Sequence, residues 1–259
     1  MILDLLLNIY NYGAVFSLLE DYFKADTRGW SSTPKIIQAG IAWQKGQFNS
    51  FYKLAKDGLN PQQKIQGETY WWMAYEQAYT AIIRLNQNNT TEAMLHSFRS
   101  VEGLLLEWVK NKFSQYINET KNNYYLKDTI LSKFPNLNSD FQGRYNIELK
   151  RWVQVKLIEA NMPIICQNRD FQAWNSKECQ DLRNRFSHRL GGIDEKELFE
   201  AWGNDINNES NWKKRVLNCL NAITQQNFSS LEQASLFYPI HHKVQEKIKE
   251  YQPSNIKFG

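Results

Sequence analysis

Cysteine is scarce in this chain of 259 residues: Cys166, Cys179 and Cys219 form no CxxC pair and are odd in number. A disulfide framework is excluded, and the thiols are expected to be reduced and buried inside a cell, in the cytoplasm. Four histidines, His96, His188, His241 and His242, share no zinc-ligand spacing with each other or with the cysteines, so no metal site is expected. Glycine (12) and proline (6) are too few for a collagen-like or linker protein. No apolar run approaches the ~20 residues that cross a bilayer. The apolar opening MILDLLLNIY carries Asp4 and lacks a basic leader, which argues against a signal peptide. An excess of one charge is also lacking, since 31 Lys and Arg stand against 27 Asp and Glu; the resulting +4 tolerates a nucleic-acid partner without demanding one.

What is present is a folding composition, with 42% hydrophobic and 14% aromatic residues. Nearly every segment between punctuation marks follows the helical period, and almost none alternates long enough for a strand. The spacing predicts a helix over residues 3–23, weakened or broken at Gly13, then a pair of helices on either side of Gly46. Residues 1–60 thus read as an N-terminal helix-hairpin region. Residues 61–259 read as a helical domain, beginning with long helices over 61–85 and 90–113. In the second of these Arg99 and Glu102 form an i,i+3 pair of structural type. Residues 118–146, rich in Asn and broken by Pro135 and Gly143, form an irregular insertion with a short helix over 126–134. Tyr124, Tyr125 and Tyr145 within it are candidates for base stacking or for packing. Further helices are expected over 148–162, 176–190, 194–202, 211–223 and 242–251. The expected class is all-α, a helical bundle. His241 and His242 read as the solvated start of the last helix, pointing about 100° apart and so poorly placed to share a ligand.

One stretch carries chemistry. In LRNRFSHRL, Leu182, Phe186 and Leu190 recur every four residues and Cys179 joins them, giving an apolar stripe. Asn184 and His188 then lie about 40° apart and nearly opposite that stripe, and Arg183 is about 7.5 Å along the axis from His188. Phosphodiester chemistry needs a group that titrates near neutral pH and a fixed cation for the charge that builds on the phosphoryl oxygens. RNA brings its own nucleophile in the 2′-OH. His188, Arg183 and Asn184 supply the remaining parts, while spacing alone also fits an ordinary solvated helix face.

The run Arg183-Asn184-Arg185-Phe186-Ser187-His188 resembles the Arg-x4-6-His signature of the HEPN superfamily. Its surroundings, with segments such as GIAWQKGQFNSFYKLA, HSFRSVEGLLLEWV, LRNRFSHRLGGIDEKELFEAW and FSSLEQASLFY, are similar to the effector half of the CARF-HEPN ribonucleases of type III CRISPR systems. The resemblance implies a HEPN-type bundle and a metal-independent endoribonuclease of antiviral defence, cutting single-stranded RNA to 2′,3′-cyclic phosphate and 5′-hydroxyl ends. It implies His188 in proton transfer, Arg183 on the phosphoryl charge, Asn184 as an aligning group, and Arg185 and Arg189 on the RNA backbone. It also implies a homodimer with a composite site and needs no cofactor. The chain departs from such relatives in showing no βα pattern of a CARF sensor. The chain is thus an excised effector part, a stand-alone protein or the partner of a separate sensor subunit, and control by cyclic oligoadenylate is expected only through a sensor domain or subunit outside these residues. The alternative is a noncatalytic helical module that binds RNA or protein.

Overall fold

The computed structural model describes residues 2–25, 32–121, 123–141 and 147–250; Tyr145, Gly143 and residue 251 of the expected last helix lie outside them. The chain is predominantly helical, as its periodicity predicts. It also contains an element the periodicity does not predict, a small antiparallel sheet of Ile117–Glu119, Tyr124–Leu126 and Ile147–Glu148. Its register pairs Ile117 with Leu126 and Leu126 with Ile147. Strands of two or three residues are too short to display an alternation, which corrects the all-α expectation for the 118–146 insertion. The helix expected over 126–134 shrinks to Ile130–Lys133, followed by a 3-10 turn and Asn138–Phe141. Among the described residues, no helix is long and apolar enough to cross a membrane.

Two compact units divide the chain: residues 1–76 with 232–259, and residues 77–231. In the first, the expected helix over 3–23 is two helices, Ile2–Asn8 and Tyr12–Ala25. The break falls at Tyr10 and not at Gly13. Tyr10 takes the left-handed φ of 58° and ends the first helix, with Tyr10 N bonded to the Leu7 carbonyl (2.8 Å) and Asn11 N to that of Leu6 (2.7 Å). Asn11 then caps the second helix through Ala14 N. The hairpin Thr33–Gln44 and Phe48–Ala55 turns where expected, at Gly46 with φ 69°. The helix predicted over 61–85 is likewise two, Pro61–Gln66 and Trp72–Asn86. Gly67 follows the first, and a Cβ there would sit 2.1 Å from the Tyr52 ring.

The core of this unit is aromatic. Trp43 stacks on Phe237 at 3.9 Å, and Tyr12, Phe51 and Leu7 are fully buried around them. The last helix is Phe237–Glu250, five residues earlier than predicted, with Pro239 tolerated in its first turn and Ser235 Oγ accepting from Phe237 N and Tyr238 N. His241 is therefore not at a solvated helix start. It is buried, hydrogen-bonded to the Tyr12 hydroxyl at 2.6 Å and stacked on Tyr10, and burial pushes its pKa down to about 4. His242, one residue on, is exposed.

Glu76 is a fully buried carboxyl of this core. It accepts hydrogen bonds from Trp43 Nε1 (2.7 Å), Ser235 Oγ (2.9 Å) and Leu236 N (2.5 Å). Burial nevertheless dominates and raises its pKa to about 7, so the protonated acid is the favoured folded form below neutrality. A folded pKa above the unfolded one stabilises at low pH, and the stabilisation is lost as pH rises through about 7. Chemical denaturation of wild type and Glu76→Gln at two pH values checks this. The stability advantage of wild type over the variant should be about 2 kcal/mol smaller at pH 7.5 than at pH 5, and an advantage that does not change would contradict the assignment.

The second unit is built on the long helix Thr90–Phe113, capped by Asn89 through Glu92 N. Arg151–Asn161, Glu195–Glu200 and Glu209–Thr224 pack against it, and Arg169–Asn175 lies against both Glu209–Thr224 and Lys177–His188. Trp202 stacks on Phe98 at 4.7 Å and donates to Ser97 Oγ. Arg215 is buried, bridging Asp170 (2.6 Å), Asp205 (2.7 Å) and the Trp202 carbonyl (2.9 Å). Gly203, with φ 133°, leaves room for that guanidinium, since a Cβ would stand 2.8 Å from its Nη1. In the sheet, Tyr124 packs beneath Lys110, whose Nζ lies 4.7 Å from the ring centroid.

Candidate active site

The helix that carries the Arg183 to His188 run is Lys177–His188. Ser176 caps it by accepting from Cys179 N at 3.2 Å. The helix ends two residues before Leu190, so the apolar stripe is shorter than its spacing predicts. Cys179 and Phe186 are buried and Leu182 is half-buried, but Leu190 is fully exposed. Arg189 is extended, and Gly191 turns the chain with φ 94°. The turn is then fastened to the start of Thr90–Phe113: Thr90 Oγ1 donates to the Ile193 carbonyl, and Ile193 N donates to Thr91 Oγ1 at 3.3 Å.

Of the five predicted site residues, four are exposed: Asn184, Arg185, His188 and Arg189. The fifth, Arg183, is largely covered, its side chain 16% accessible. Its Nη1 is paired with Glu102, its Cζ lies 5.3 Å from the Phe98 ring centroid, and its Nη2 donates to Asn184 Oδ1 at 3.3 Å. Glu102 therefore pairs across the fold with Arg183 and not along its own helix with Arg99, which is exposed. A three-residue spacing allows the local pair, but Glu102 lies on the face turned toward Lys177–His188.

The two flanking arginines differ. Arg189 is forked onto Glu197 at 2.7 and 2.6 Å and also donates to the Gly192 carbonyl, so it braces the turn. Arg185 rests beside Phe186 at 5.2 Å and lines a shallow groove of about 550 Å³ with Lys177, Glu178, Asp181 and Leu182. His188 sits on the last turn, one turn beyond Asn184 and open to solvent. His96, elsewhere in the unit, is bonded to Gln77, and burial, then the charge of Arg84, push its pKa down to about 4.

A fourth arginine joins the site without a signal in the motif. Arg151, first residue of Arg151–Asn161, lies over Trp174 at 5.2 Å. Burial, and after it the charge of Arg183, lower its pKa to about 10, with Glu102 acting in the opposite sense. The arrangement thus offers an exposed imidazole, an exposed amide, a guanidinium paired with Glu102 and a second guanidinium that senses the charge of both. No protein-family model and no curated protein matches the chain.

The Glu102 and Arg183 pair is the joint that orients this arrangement. In a double-mutant cycle with Glu102→Ala and Arg183→Ala, urea denaturation should give a coupling of about 1 kcal/mol, the scale of a partly covered ion pair. Strict additivity of the two changes would show that the contact does not hold the helix.

Proposed function

We propose that the chain is a HEPN-type, metal-independent endoribonuclease that cleaves single-stranded RNA. The observation that carries this reading is one helix presenting a solvent-open His188 together with Arg183, whose guanidinium is held in orientation by Glu102 and Phe98. In the reaction, a bond forms between the 2′-oxygen and phosphorus while the bond from phosphorus to the 5′-oxygen breaks. One imidazole takes the proton of the 2′-OH, and another gives a proton to the departing 5′-oxygen. Arg183 faces the negative charge on the non-bridging oxygens, and Asn184 aligns the phosphate. The products are a 2′,3′-cyclic phosphate and a 5′-hydroxyl. No metal is called on, because the nucleophile belongs to the RNA.

A single chain offers one such histidine on an open surface. A homodimer that brings two copies of the helix together supplies both the base and the acid and turns a shallow face into a cleft. In the cell the reading places this activity in CRISPR-linked antiviral defence in the cytoplasm, either as a stand-alone enzyme or under a cyclic-oligoadenylate sensor supplied by another domain or subunit. A second reading, a noncatalytic RNA- or protein-binding module, is favoured by a specific observation: Arg183 and Arg189 are both already paired with carboxylates.

Labelled single-stranded RNA incubated with the protein in EDTA, with and without cyclic oligoadenylates, separates the two. Cleavage to cyclic-phosphate ends is expected, slowed about 100- to 10,000-fold by His188→Ala and about 100-fold or more by Arg183→Ala. Undiminished cleavage by the His188→Ala protein would overturn the enzymatic reading. RNA binding without turnover by monomer and dimer alike would establish the second.

A further inference from the structure

Arg183 is the cation on which the proposed chemistry depends, yet its Nη1 is occupied by Glu102. A phosphate that takes Nη1 displaces that carboxylate, and a half-buried carboxylate left without a partner is costly. Its neighbour has the opposite deficit. Arg151 Nη1 is buried and has no hydrogen-bond partner among the described residues. The Nε1 of Trp174, the ring beneath it, is in the same condition, and Trp174 is fully buried.

An arginine carries five N–H donors in a fixed fork, and a buried unpaired donor of a charged group is among the more expensive defects a fold can carry. The helices explain why the defect lies here. Arg151–Asn161 packs on Thr90–Phe113, which carries Glu102, and Arg169–Asn175, which carries Trp174, packs on Lys177–His188. Both guanidiniums act on one another electrostatically and both are drawn to Glu102. The set has two positive charges, one negative charge and one vacant donor directed at no acceptor.

We infer that Arg151 is the waiting partner of Glu102: when an RNA phosphate takes Arg183, the Glu102 carboxylate passes from Arg183 to Nη1 of Arg151. The exchange breaks one ion pair and forms two, Arg183 with phosphate and Arg151 with Glu102, and no covalent bond changes. It makes Arg151 a positioning residue of the site. It rests on the reading of the Lys177–His188 helix as an RNA-phosphate site.

The test uses a cleavage-resistant 2′-O-methyl single-stranded oligoribonucleotide, so that binding is measured apart from turnover. Arg151→Met keeps the aliphatic stem over Trp174 and removes the fork; Arg151→Lys keeps the charge; thermal melting verifies that each is folded. Arg151→Met should weaken oligonucleotide binding about tenfold in the otherwise wild-type protein, with Arg151→Lys between the two. In a Glu102→Gln protein, which has no carboxylate to relocate, the same Arg151→Met change should cost less than about twofold. Loss of equal size in both backgrounds, with the salt dependence falling by about 0.7 in log–log slope, would mean that Arg151 holds phosphate directly and would overturn the exchange. So would unchanged affinity in Arg151→Met, or no binding by wild type. A wild type that binds the oligonucleotide with the predicted coupling but cuts no RNA would leave the exchange standing and sink the nuclease assignment.

Discussion

The pairing of Arg183 with Glu102 is the constraint on which the candidate site depends. It joins residues 81 positions apart and fixes the roll of Lys177–His188 about its own axis relative to Thr90–Phe113. Roll decides everything that follows on a helix. With Arg183 turned inward over Phe98, Asn184 and His188 are turned outward, and Phe186 is left to the core. Axial position is set separately, by the Ser176 cap at one end and by the Thr90 and Thr91 hydroxyls on the turn at the other. The same guanidinium therefore orients the helix at rest and meets substrate in the proposed reaction, and those two duties compete.

Helices in this chain are legible because their apolar spacing is repeated over several turns. The long helix Thr90–Phe113, the Gly46 turn, the Ser176 start and the Asp194 cap before Glu195–Glu200 all follow from local sequence. What escapes is decided by single residues or by distance. Tyr10 ends a helix in a conformation usually left to glycine, and its ring contact with His241 is made by a segment more than 200 residues away. Glycine is needed at 67, just past Pro61–Gln66, because the Tyr52 ring occupies the space of a Cβ, and no window around Gly67 contains Tyr52. The sheet escapes because its strands are shorter than a period can reveal.

The site divides along the same line. His188, Asn184 and Arg183 share one helix, so their relation is arithmetic in the sequence. Glu102 and Arg151 come from two other helices, and nothing in the spacing around residue 183 points to either. Glu102 even has a plausible local partner in Arg99, which the fold declines. Cysteine usage is legible in part: Cys179 and Cys219 are buried as expected, and burial raises both thiols above their ordinary range, whereas Cys166 is only half-buried.

Gly40 has a consequence that reaches beyond packing. A Cβ at this position would stand 2.3 Å from the Tyr12 ring, and Tyr12 is the hydrogen-bond partner of the buried His241. Tyr12 lies between the two, its ring against the Gly40 backbone and its hydroxyl on the imidazole, so a methyl group that shifts the ring also strains that hydrogen bond. Gly40→Ala is thus a change in hydrocarbon alone that would be heard as a change in proton affinity, visible as a displaced His241 titration by NMR. Steric space in one helix is transcribed into acid–base behaviour in another.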